Sequence, residues 1–214
     1  MASDRPRQTQ EQRRARTRGL VLDAAVACLL EQGYAATSIA EVQERAGVAR
    51  GTLLHHFPTK NALVVGAVEH LAARRIDRFA ADAALVPAST DRLSALVDLA
   101  WSGLSSPEFF TAAELWMAAR TDEDLRAALR PVETATFARL QESLTSVLGP
   151  PHADDPRTPT LVTMTIELLT GLSLSTMLAG DLVDRATVLE RWKRVLAVSL
   201  GDLSPDRLLD RGPA

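Results

Sequence analysis

Apolar residues along this chain recur at three- and four-residue spacing, and no segment reads as a strand. That periodicity belongs to helices that bury one face. Leu20, Val21, Ala24, Ala27 and Cys28 mark a first helix over about 12–32, closed by Gly33-Tyr34 with the glycine just past the last turn. A second helix over 38–46 opens on Ser38-x-x-Glu41, a pair able to cap it reciprocally. Gly47 permits a turn at positive φ, and a third helix follows over 49–56, stopped by Pro58. Val42, Ala46, Val48 and Leu53 are spaced to pack these three helices on one another.

A longer helix is predicted from about Asn61 to Ala84. Pro87 and the cluster Ser89-Thr90-Asp91 mark a loop and a new cap, with a helix to about Leu104. Pro107 opens the next helix, which runs to Arg120. Thr121-Asp122 caps another to about Leu148, with Pro131 placed to kink it. GPPHADDPRTP holds four prolines and is the clearest loop; two apolar helices over 160–178 and 184–203 complete the chain. Residues 1–11 read as disordered. The fold expected is all-α with about nine helices: a three-helix domain over 1–60, then a larger helical domain over 61–214.

With 46% hydrophobic and 24% charged residues among 214, there is ample material for a core. The net charge of −3 hides an asymmetry: residues 1–60 carry +3 and residues 61–214 carry −6. A basic front on an acidic body places a polyanion partner at the front, although a charged terminus can equally be a solvated tail. The excess of arginine over lysine fits coding bias and carries little functional weight. Cys28 is the only cysteine, which excludes an intrachain disulfide and fits a reducing, cytoplasmic setting. No apolar stretch uninterrupted by polar residues is long enough for a membrane span, and no membrane partner is expected.

Two short helices joined at Gly47 form a helix-turn-helix pattern, whose second helix can enter the major groove of double-stranded DNA. If Val48 and Leu53 face inward, Arg50 and Thr52 face outward. Arg50 then suits a bidentate contact to guanine, and Thr52 a base edge or a thymine methyl. Gly51 allows close backbone approach. Thr37, near a helix start, and Lys60 are placed for phosphates, with Arg16 and Arg18 adding phosphate or minor-groove contacts. Against this, Arg50 could be merely solvated, and Lys60 could simply open the next helix.

The stretch RTRGLVLDAAVACLLEQGYAATS followed by IAEVQERAGVARGTLLHHFPTKNALV resembles the TetR family of bacterial transcriptional repressors. The features that carry the resemblance include Gly33-Tyr34, Thr37, Ala46-Gly47-Val48, Gly51-Thr52-Leu53, Phe57 and Lys60. Three positions depart from the family pattern. Leu54 replaces a tyrosine that touches phosphate, a contact His55 or His56 would share. Gln43 replaces alanine, and Ala49 replaces the serine that caps the third helix, a loss worth about 1 kcal/mol in a free helix.

Two-fold DNA sites call for a dimer. The last two helices are the expected homodimer interface, through Gly171, Ser173 and Ser175 on one and Val188, Leu189, Trp192, Val195, Leu196 and Ser199 on the other; burial within the monomer is the plainer alternative. Trp101, Phe109, Phe110, Trp116, Met117 and Phe137 are either core or the lining of an apolar pocket for a small-molecule effector, with Glu114 or Arg120 as polar anchors. The resemblance supports such a pocket and identifies no residue of it.

No phosphate loop, nucleophile elbow or metal-ligand spacing is present, so neither an enzyme nor a cofactor or metal is expected. His55 and His56, adjacent on one helix, point about 100° apart and make a poor ligand pair. The function expected is a ligand-responsive, dimeric DNA-binding regulator, a repressor released by a small apolar effector. The alternative is a DNA-binding or architectural protein without a ligand.

Overall fold

The computed structural model describes residues 9–87, 92–179 and 184–205, and forms nine α-helices and no strand among them. They are α1 (Gln10–Ala36), α2 (Ile39–Ala46), α3 (Arg50–His56), α4 (Lys60–Ala84), α5 (Arg92–Leu104), α6 (Pro107–Ala119), α7 (Glu123–Leu148), α8 (Thr158–Ala179) and α9 (Arg185–Leu200). The proline-rich loop holds one 3₁₀ turn, His152–Asp154.

Several boundaries differ from the sequence reading for identifiable reasons. Residues 10 and 11 are helical rather than disordered because Thr9 and Gln12 cap each other. The Thr9 hydroxyl accepts from the Gln12 N–H at 3.2 Å, and Gln12 Oε1 accepts from the Thr9 N–H at 3.0 Å. Gly33 breaks α1 where expected, at φ 78° and ψ 175°, although helical hydrogen bonding resumes to Ala36. Pro131 lies inside α7 without ending it; the ring removes one N–H from the ladder. The predicted cap at Ser89, Thr90 and Asp91 lies outside the described residues.

Packing divides the chain into two compact units, Met1–Ala72 with Thr111–Glu133, and Ala73–Phe110 with Thr134–Ala214. This is not the division expected at residue 60. Leu115, Ala119, Leu125 and Leu129 from α6 and α7 join the core of the first three helices, which adds buried apolar area to a small unit. That core centres on Val21, Ala25 and Leu29 of α1, Val42 of α2, Leu53 of α3, and Leu63, Val64 and Ala67 of α4. Cys28 is buried among them, and burial pushes its thiol pKa up, as for an inert core residue.

In the second unit Ala100, Leu169 and Leu189 form a small core flanked by Phe79, Trp101, Leu104, Leu144 and Leu172. Polar ties cross it. Lys193 of α9 bonds Asp98 of α5 at 2.7 Å, and Trp192 Nε1 donates to Thr165 Oγ1 of α8 at 3.0 Å. Helices 10–36 and 158–177 are long and apolar enough, by composition alone, to cross a bilayer, contrary to the sequence reading; the first supplies much of the core just described.

Candidate functional site

The N-terminal unit presents a short helix on a fixed mount. Ser38 caps α2 by accepting from the Glu41 N–H at 3.3 Å. Gly47 ends α2 at φ 64° and ψ 31°, the left-handed conformation that glycine adopts without strain. Two residues later α3 begins. Its N-cap is Ala49, which makes no side-chain cap bond, so the missing serine has no substitute there. Leu53 is fully buried and anchors α3 from beneath, while Arg50, Gly51 and Thr52 in the first turn are exposed. A Cβ added at Gly51 would meet nothing within 4 Å, so nothing inside the protein requires glycine there.

Cations gather beside this helix. Arg18, exposed on α1, lays its guanidinium 5.2 Å from the centroid of the Phe57 ring. Arg16 is exposed as well. His55 is exposed and His56 half-buried, their rings 5.7 Å apart. Burial lowers the His56 pKa from 6.5, and the neighbouring Arg14, His55 and Arg18 add to the shift. Among the described residues no group of three His, Cys, Asp or Glu could hold a metal ion.

Three of the expected DNA contacts are placed differently. Thr37 is 2% exposed, and its hydroxyl donates to the Gly33 carbonyl at 2.8 Å, so its side chain is spent inside the fold. Lys60 Nζ donates to the Tyr34 carbonyl at 2.9 Å and lies 4.5 Å from the Tyr34 ring centroid. Leu54 is half-buried and packs on the core, which accounts for an apolar residue where the resemblance expects a tyrosine.

The eight expected pocket residues are divided between the two units. Within the second unit, Phe109 is buried with the Arg75 guanidinium 5.8 Å from its ring centroid, and Phe110 meets it edge-on at 5.7 Å. Trp101 and Phe137 are half-buried. Within the first unit, Glu114 Oε1 accepts from the Tyr34 N–H at 2.9 Å. Burial raises the Glu133 pKa, and the nearby Trp116 lowers it in part. Met117 is 57% exposed and Arg120 is exposed.

A concave site lies among other residues. A cleft in the second unit, about 460 Å³ including its open mouth, is walled by Leu93, Leu96 and Val97 of α5, Val147 of α7, Leu161, Val162 and Thr165 of α8, and Leu196 and Leu200 of α9. None of the eight residues lines it. Its walls are aliphatic, and it holds no aromatic ring or charged group. Aromatic spacing therefore gives no sign of it, and the aliphatic faces of α5 and α8 are its signal in the sequence.

Residues 21–67 match the family model described as bacterial regulatory proteins, tetR family. A helix-turn-helix-type transcriptional regulator of Mycobacterium tuberculosis is 28% identical over 166 residues, covering 78% of this chain and 85% of the relative. The transcriptional regulator CymR of Pseudomonas putida is 36% identical over 132 residues, covering 61% of this chain and 65% of the relative. Among solved structures, the multidrug binding protein EbrR complexed with proflavin superposes with a TM-score of 0.61 at 25% identity, over 86% of this chain and 99% of that one.

Proposed function

Since this chain belongs to the TetR family of bacterial regulatory proteins and is a DNA-binding transcriptional regulator, we propose that it acts as a homodimeric repressor on a palindromic operator, released by a small apolar effector. One observation carries the DNA-reading part. Arg50, Gly51 and Thr52 stand exposed on a helix pinned by the buried Leu53, with Arg18 beside it and the two histidines at its end. In such a helix the first turn meets base edges and the flanking cations meet phosphates. Arg50 reads guanine, and Thr52 an adjacent base. Lys60 and Thr37 act by holding the helix mount.

The dimer reading rests on α8. Its apolar stretch is only 28% buried, and Met164 and Met177 are 50% and 54% exposed. Apolar area of that kind is covered in a stable protein. Ser173, Leu189 and Leu196 are already buried within the protomer, so the interface falls to the other side of α8, around Met164 and Gly171. Sedimentation of the purified chain tests this: a dimer at micromolar concentration is expected, and a monomer contradicts it.

Effector release is supported by EbrR, crystallised with proflavin and with ethidium, and by the aliphatic cleft. A releasing ligand must bind the DNA-free arrangement better than the DNA-bound one. Operator affinity measured against a panel of uncharged apolar compounds is expected to fall for at least one of them. No response across the panel contradicts the effector reading.

A further inference from the structure

We propose that Glu114 is a positioning residue for DNA recognition: its carboxylate, reaching from α6, fixes the turn from which the helix-turn-helix departs. The turn is residues 33–37, between the break in α1 and the cap of α2. Glu114 Oε1 accepts the Tyr34 N–H at 2.9 Å. On the other side of the same residue, Lys60 Nζ bonds the Tyr34 carbonyl at 2.9 Å and approaches the Ala35 carbonyl at 3.5 Å. The Thr37 hydroxyl closes the turn on the Gly33 carbonyl at 2.8 Å. The N–H and C=O of Tyr34 are thus gripped by a carboxylate and an ammonium from two different helices.

Gly33 is built for this contact twice over. Its φ of 78° is one that side chains rarely adopt, and a Cβ there would lie 2.9 Å from Glu114 Oε1 and 3.0 Å from Oε2. The carboxylate occupies the space the absent side chain leaves. Ser38 follows at once and caps α2, so α2 and α3, with 8 and 7 residues, take their direction from this turn. Helices that short have little stability of their own. A charge-assisted bond that sets their exit point acts on base readout without touching DNA.

The test uses full-length protein, a duplex carrying the site it selects from random DNA, and a scrambled duplex of equal length. Glu114→Ala is expected to raise Kd for the selected site about tenfold, as for a lost hydrogen bond to a charged group, and to leave scrambled-duplex binding unchanged. Glu114→Gln keeps an oxygen acceptor at the same reach without the charge and is expected to recover most of the affinity that the alanine variant loses. Glu114→Asp keeps the charge, stops one carbon short, and is expected to lose affinity; it decides the matter if the alanine variant does not fold. Wild-type affinity in Glu114→Asp, an equal loss in Glu114→Gln, or equal losses on both duplexes overturns the proposal. If the wild-type protein selects no site, the operator reading fails instead, a distinct outcome.

Discussion

Lys60 Nζ holds the Tyr34 carbonyl at 2.9 Å while its ammonium lies 4.5 Å from the centroid of the Tyr34 ring. The lysine at the head of α4 therefore caps the end of α1. Lys60→Ala is expected to lower unfolding stability by about 1–2 kcal/mol, measurable by urea denaturation. The slope of log K against log salt for DNA binding should not change. A slope shallower by about one would return Lys60 to the phosphate backbone.

Gly51 separates stability from recognition. Nothing lies within 4 Å of an added Cβ there, and the residue sits in the first turn of a helix. Gly51→Ala should stabilise the protein by about 0.5–1 kcal/mol. If the backbone approaches DNA at this point, the same substitution weakens operator binding. A variant that is both more stable and unimpaired on DNA would show that α3 keeps its distance there.

Arg50→Ala should cost about 1–3 kcal/mol of specific binding and relax preference at one base of each half-site. A competition assay with single-base operator variants reads both. Unchanged affinity and unchanged preference would take base readout away from Arg50.

His56 makes binding depend on pH. The His56 pKa is lowered from 6.5 in the folded chain, so the unfolded chain binds more protons near that pH. Its contribution to stability is fully present above 6.5 and is lost as pH falls through the lowered folded value. DNA acts with the opposite sign, because phosphate favours the charged imidazole. Operator affinity should rise between about pH 7.5 and 6, and His56→Gln should flatten that rise. A pH-independent Kd in the wild-type protein contradicts phosphate proximity of His56.

Most of the fold was legible because its punctuation is local. Gly33, Gly47, Pro58 and Asp184 act on neighbouring backbone, and each marks an element end close to where the periodicity placed it. The exposure of Arg50 and Thr52 was legible as well, because they open the helix that follows the turn at Gly47, and an apolar Leu53 in the next position is the one to bury. What was not legible depends on partners distant in sequence. Thr37 and Lys60 looked free for phosphate until the turn at 33–37 claimed them. Glu114 looked like a pocket anchor, although its partner, Tyr34, is 80 residues away. The cleft escaped because aliphatic side chains from four helices form it, and no single helix distinguishes a wall from a core face.

The central claim is that an exposed α3, offered twice by a homodimer, reads a symmetric DNA site. Selection of bound duplexes from a random pool by the full-length protein tests it most directly. The account predicts an enriched palindrome, its half-sites centred about one helical turn or a multiple of it apart, with a guanine in each that Arg50→Ala ceases to prefer. Enrichment of no sequence, or of a single half-site without its inverted copy, would contradict it.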